Sequence, residues 1–278
     1  MLTHEPTPFK AIYGPVQSWR FGQSLGIDPI GQPSTCSFNC AYCQLGDIQQ
    51  QSTHRRVFVS TEQIRKELGD LDAFESIDVA TLSGSGEPTL ALNLREILAC
   101  VQKYVPCPVV VLTNGSLLKD WAVRSALEWA NQVVVKLDAV SEQQLQRINR
   151  PIAGIDLASI LAGIQTFAEE YPGYLAIQTM VLKPWSPEDR ARYIEILATL
   201  MPDEVQLNMP SRPRVLARRL EARENQIIGL EPYALRQLNC VNTNVLQDFA
   251  HEIETTIGIP TRYPTAKTQQ PSLVRNLD

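Results

Sequence analysis

CSFNCAYC, residues 36–43, sets Cys36, Cys40 and Cys43 at the spacing CxxxCxxC. Thiolates this close on one loop can reach a single compact metal centre, and their number bears on which centre it is. A structural zinc ion closes its shell with four protein ligands. A four-iron cluster held by cysteine alone takes one thiolate per iron, four in all. Three thiolates with no evident fourth therefore leave one iron with an open position, where a substrate or cofactor can bind. Tyr42, immediately before the last cysteine, is expected beside whatever fills that position. Two plainer readings stand next to this one: His54 can complete a Cys3His zinc site, or three of the chain's six cysteines can be neighbours by chance.

Outward from this loop, apolar strands alternate with amphipathic helices, the pattern of a parallel sheet with crossover helices. The first strand is expected at residues 24–30, so the cysteine loop leaves its C-terminal end, where barrel enzymes keep their chemistry. A helix follows from Ser60, with Ser60 as cap, Gln63 reaching back to it, and Ile64, Leu68 and Leu71 along one face. The second strand, from Ile77, runs into Gly84, Ser85, Gly86, Glu87 and Pro88. Small residues there let the backbone approach a ligand closely, and Glu87 can accept from an ammonium group.

Strand three, at residues 108–116, ends in Asn114 and Gly115, and strand four, at residues 133–140, carries Asp138. Asp138 can bond a ribose hydroxyl, or cap the helix that follows. Strand five, at residues 174–182, brings Gln178 and Met180 towards the site. Ser186, Pro187, Glu188 and Asp189 open a well-signalled helix before strand six at residues 204–210. The sum is an α/β chain forming an open, partial (β/α)6 barrel of TIM type, whose lateral opening can admit a large substrate. The expected divisions are an arm at residues 1–12, the barrel at 13–223, a helical extension at 224–258 and a tail at 259–278. Helices in the extension are expected at residues 232–239 and 245–256.

Hydrophobic residues make up 44% of the chain, enough for a buried core. No run of eighteen apolar residues and no signal-peptide pattern in MLTHEPTPFK argue for a cytoplasmic protein with no membrane partner. Scattered Cys100, Cys107 and Cys240 then read as ordinary thiols. A net charge of −5 gives no overall attraction for nucleic acid.

CxxxCxxC with an aromatic before the last cysteine resembles the signature of the radical S-adenosylmethionine (radical SAM) superfamily. Residues 13–46 look like a less characterised branch related to wybutosine-synthesis enzymes. The resemblance implies a [4Fe-4S] cluster on Cys36, Cys40 and Cys43, whose open iron is chelated by the methionine end of S-adenosylmethionine. It implies reductive cleavage of that cofactor to a 5'-deoxyadenosyl radical, which takes hydrogen from a substrate. It also implies a reductant such as flavodoxin or ferredoxin, and the partial barrel. Residues 84–88 resemble the superfamily's GGEP segment, which contacts the methionine amino group, with Ser85 where glycine is commoner. Tyr42, Gly84, Ser85, Gly86, Glu87, Asn114, Asp138 and Gln178 are the expected cofactor contacts. The substrate is open among small molecules, peptides and tRNA. Wybutosine-type relatives carry further cysteines for a second cluster, and none is placed here to do so.

Arg212, Arg214, Arg218, Arg219 and Arg223 crowd the segment after strand six. With Arg147 and Arg150 they can form an anion-binding rim, Arg147, Arg150 and Arg212 being the substrate candidates. The interspersed Glu221 and Glu224 favour a solvated helix face instead.

Overall fold

A computed structural model describes residues 9–71, 74, 76–210, 212–224, 234–238 and 240–265. Its centre is one eight-stranded sheet: β1 (Ile12–Ser18), β2 (Gly22–Ile27), β3 (Val79–Leu82), β4 (Val109–Thr113), β5 (Gln132–Lys136), β6 (Tyr174–Met180), β7 (Glu204–Asn208) and β8 (Thr261–Arg262). The strands lie in sequence order across the sheet. β1 pairs antiparallel with β2, and every later neighbour is parallel. The helices are α1 (Thr61–Gly69), α2 (Leu94–Tyr104), α3 (Trp121–Leu127), α4 (Glu142–Ile148), α5 (Leu157–Glu170), α6 (Pro187–Leu200) and α7 (Thr243–Ile257). The curled sheet with its crossover helices is the expected partial barrel.

Side-chain alternation along the strands builds its two faces. Val133 and Val135 of β5 join the large core beneath the helices, with Ile97, Ile164 and Leu197. Val134 points the other way, into a small inner cluster with Val110 and Ala176. Phe21, Val79 and Leu112 pack against that cluster, and the same face also carries polar groups: Ser24 and Thr81 share a 2.8 Å hydrogen bond, and Gln178 and Gln206 are buried. A concave face lined with polar groups suits a ligand better than a packed core.

Ser60 caps α1 by accepting from Gln63 N, but the Gln63 amide bonds Glu67 rather than reaching back. Ser186 caps α6 by accepting from Asp189 N, with Pro187 in the first turn. The first parallel strand stops at Ile27, and Ile30 continues as buried loop.

Three expectations about the ends of the chain are overturned. Residues 9–12 of the supposed arm belong to the body, because Ala11 is fully buried and β1 begins at Ile12. β1 escaped sequence reading because its register shifts between Tyr13 and Val16, which breaks the period of two. Within the supposed helix at residues 232–239, Leu235–Arg236 is a strand paired with Arg214–Val215; residues 232, 233 and 239 lie outside the described ones. The supposed tail returns to the sheet, Thr261 and Arg262 pairing with Val205 and Gln206 of β7. α7, between them, matches the helix expected at residues 245–256.

Candidate active site

The cysteine loop starts at the C-terminal end of β2 and is laced to two other parts of the chain. Thr35–Cys36 pairs with Gln50–Gln51. Asn39 N and Ala41 N donate to the carbonyls of Asn149 and Ile148, at 3.0 and 2.8 Å. A helix end leaves carbonyls without intrahelical partners, and here the end of α4 gives its own to the loop. Ile152 N closes the seam on Ser37 O at 2.8 Å. Burial pushes the Cys36 thiol well up and the Cys40 thiol up to about 12, with nearby carboxylates, Glu87 for Cys36 and Asp138 for Cys40, adding to the effect. Metal ligation of these sulfurs therefore has to displace their protons.

Residues 84–88 pass under this loop at very short range. A Cβ on Gly86 would lie 1.8 Å from Thr35 O, and one on Gly84, at φ +139, would lie 2.5 Å from the Asp28 carboxyl carbon. Only glycine fits either place. Ser85 donates through N and Oγ to Asp28 Oδ2, at 3.0 and 2.5 Å. Asp28, at the tip of β2, also accepts from Ile30 N, Gly31 N and Arg223 Nη1.

Both oxygens of Glu87 accept hydrogen bonds from the protein. Oε1 accepts from Thr89 N, Thr89 Oγ1 and Thr113 Oγ1, and Oε2 from Asn114 N at 2.8 Å. Through these bonds Glu87 ties the tips of β3 and β4 together. Asp138 is likewise engaged by groups of the protein itself, and it is not the cap of the following helix. Ser141, not Asp138, caps α4. Asp138 accepts from Tyr42 Oη and Asn149 Nδ2 on one oxygen, and from Met180 N at 2.7 Å on the other, with Lys136 Nζ 3.0 Å away. Three donors hold this carboxylate in place, while buried Lys136 Nζ forms an ion pair with it but no hydrogen bond. Tyr42 is thus anchored by Asp138, and Lys136 sits 5.1 Å from its ring centre.

Asn114 faces the cysteine loop: Nδ2 donates to Ser37 Oγ at 2.8 Å and lies 3.5 Å from Cys36 Sγ. Gln178, on the inner face, is 6% exposed and its Nε2 has no partner. A buried donor without an acceptor is costly, so this amide fits a bound polar ligand. Lys136 and Gln178 are register partners on adjacent strands.

The arginines fall into two groups. Arg147 and Arg150 are exposed, and it is the Arg150 carbonyl that serves the loop, accepting from Asn39 N and Gln51 Nε2. The segment after β7 is no solvated helix face. Arg212 bonds Gln17 O and Gln44 Oε1, Arg214 pairs with Asp47, and Arg218 Nη2 bonds Ser85 O at 2.6 Å. Arg223 meets Asp28 at 2.8 Å and lies against the rings of Phe9 and Tyr13. Val215, Leu45 and Ala222 form a small core between this strap and the residues just past Cys43. Burial lowers the pKa of both Arg212 and Arg218.

Sequence reading missed Asp28, Lys136 and Asn149 as parts of the site, and saw Arg218 and Arg223 only as members of an anion-binding rim or a solvated face. Asp28 stands at a strand tip just as Asp138 does, so the rule that found one covers the other. Asn149 was visible between two arginines and passed over for their charge. Gly84, Ser85, Gly86, Glu87, Asn114, Asp138 and Tyr42 do converge around the loop.

Three cysteines on a loop at the C-terminal end of the first parallel strand, faced by the tips of the next ones, define a class. The Radical SAM superfamily model matches residues 33–197, and the chain belongs to that superfamily. It is an enzyme of the radical SAM class. Over 264 residues it is 53% identical to the UPF0026 protein slr1464 of Synechocystis sp., spanning 94% of this chain and 98% of that one. Among solved structures, Streptococcus suis SuiB bound to precursor peptide SuiA aligns with a TM-score of 0.61 at 11% identity, over 90% of this chain and 51% of that one. Native anSMEcpe with bound AdoMet aligns at 0.56 and 16% identity, over 86% of this chain and 63% of that one. At such identities the structural likeness concerns the fold. Among the described residues no helix is long and apolar enough to cross a membrane.

Proposed function

We propose that this enzyme binds a [4Fe-4S] cluster on Cys36, Cys40 and Cys43 and S-adenosylmethionine beside it, and abstracts hydrogen from a substrate still to be identified. When bound, the two groups together supply a 5'-deoxyadenosyl radical, one electron coming from a reductant such as flavodoxin or ferredoxin. The observation that carries the reading is the meeting of the three thiols with the glycine cradle at residues 84–86 on the tips of consecutive strands. Within the chain, Gly84 and Gly86 let the turn at residues 84–88 pack directly against Asp28 and Thr35 beneath the cysteine loop, and Gln178 offers the cofactor a donor. Glu87 and Asp138 hold the strand tips and Tyr42 in place.

A zinc site has less support. A lone zinc ion needs its sulfur ligands about 2.3 Å from one centre. A zinc ion has no use for the glycine-rich turn at the next strand tip, and His54, the residue that would complete its ligands, is exposed. A tRNA substrate, suggested by the likeness to wybutosine-synthesis enzymes, is the alternative carried for the second half of the reaction.

Anaerobic loading with iron and sulfide tests the first step. The parent is expected to take up iron and, with dithionite and S-adenosylmethionine, to release 5'-deoxyadenosine. Single Cys→Ala changes at the three positions are expected to abolish both. Zinc with a full set of protein ligands in the isolated protein, or no 5'-deoxyadenosine from fully loaded protein, would overturn the proposal.

A further inference from the structure

Two cysteines of the loop each have their own side-chain amide donor and the third has an arginine beside it, and the three groups come from separate parts of the fold. Asn114 Nδ2, just past β4, lies 3.5 Å from Cys36 Sγ. Asn149 Nδ2, at the end of α4, lies 3.5 Å from Cys40 Sγ. The Arg218 guanidinium, on the strap after β7, is close enough to Cys43 for the two to interact electrostatically. All three are held from behind. Asn114 Oδ1 accepts from Ser116 N at 3.0 Å, Asn149 Nδ2 also donates to Asp138 at 2.7 Å, and Arg218 grips Ser85 O at 2.6 Å. Buried Cys100, by contrast, sits in the apolar core among α2 neighbours, so burial of a cysteine in this chain does not by itself bring a side-chain donor.

An N–H···S bond strengthens as the sulfur gains negative charge. Reduction of a thiolate-held cluster adds such charge, and hydrogen bonds to the sulfurs are among the factors that set its potential. Donors fixed in advance therefore favour the state that has accepted the electron. We propose that Asn114, Asn149 and Arg218 are positioning residues, the two asparagines each giving one hydrogen bond to a different cluster thiolate and Arg218 a positive charge beside the third, together raising the cluster's reduction potential. This rests on the cluster reading above.

The two asparagines make the cleaner test, because removing them changes no charge. Full-length protein is loaded with iron and sulfide and titrated with dithionite under EPR. Asn114→Leu and Asn149→Leu are expected to keep parental iron content. At the potential where the parent is half reduced, the ratio of reduced to oxidised cluster should fall about tenfold, equal to 59 mV for one electron. Arg218→Leu should fall at least as far, and Asn149→Gln should recover part of the loss. Lys136→Met removes a nearby charge that touches no sulfur, and should move the midpoint less than Arg218→Leu. A merely structural role would lower thermal stability and leave the midpoint alone. Full iron content with an unmoved midpoint in both asparagine variants overturns the inference.

Should a variant fail to fold, the parent answers by itself. After exchange into D2O its reduced cluster is expected to show pulsed-EPR couplings to exchangeable deuterons at hydrogen-bond range, and their absence also overturns the inference. A parent that takes up no more iron than its Cys→Ala variants would instead sink the cluster reading.

Discussion

Glu87 shows how much a single residue's role depends on neighbours far away in the chain. Its place in the turn at residues 84–88 was legible, but its partners Thr113 and Asn114 arrive from the next strand tip. Burial raises its pKa above the ordinary carboxylate value of 4.5, more than its hydrogen bonds lower it. The folded protein therefore holds this proton more tightly than the unfolded chain does. The resulting stability is present below pH 4.5 and is lost as pH rises through the folded-state pKa. Denaturant unfolding measured across that window should show stability falling with pH at this site, and Glu87→Gln should remove that part of the slope. A variant with the same pH profile as the parent would mean that Glu87 is not protonated differently in the two states. Asn149 makes the converse point: a neutral residue in RINRP drew no notice, yet it touches both a cysteine and Asp138.

Among elements, the strap formed by residues 212–223 departs most from its sequence reading. Alternating Arg and Glu look the same whether a segment is solvated or folded back against carboxylates and carbonyls. Which of these holds depends on what lies opposite, here Asp28, Asp47 and Ser85. The Asp28 side chain is fully buried and that of Arg223 nearly so. Removing one member of such a pair strands the other's charge, at a cost of about 3–5 kcal/mol when nothing else supports it. Four other donors remain on Asp28, so Arg223→Ala is expected to cost about 2–3 kcal/mol, read as a lower urea midpoint. The helices were easier to read. Ser60 and Ser186 both cap the helix that follows, as read, because capping is settled within a few residues, whereas α4 is capped by Ser141 and not by Asp138.

For the whole molecule, the two outer strands decide where the sheet stops. β1 flanks β2, and β8 flanks β7, so neither parallel end strand is left bare. Truncation after Gly258 removes β8 and leaves the β7 edge without its partner. An uncovered strand edge invites pairing with another chain. The truncated protein is expected to elute from a size-exclusion column as soluble aggregate, whereas a monomeric profile would show that β8 is dispensable. Arg262 also donates to Arg20 O in the turn between β1 and β2, so the two outer strands meet and the same truncation loosens the β1 hairpin.

The order of parallel strands and helices, the three cysteines and the glycines beneath them were set by local pattern: apolar periodicity, capping residues and ligand spacing act over a few positions and can be read from one chain. Tertiary structure alone decided the partners of Glu87, Asp138 and the strap arginines, the two outer strands, and which nitrogen faces which sulfur. Those contacts join residues dozens of positions apart, and a hydrogen bond or an edge pairing exists only once the fold has brought both halves to one place.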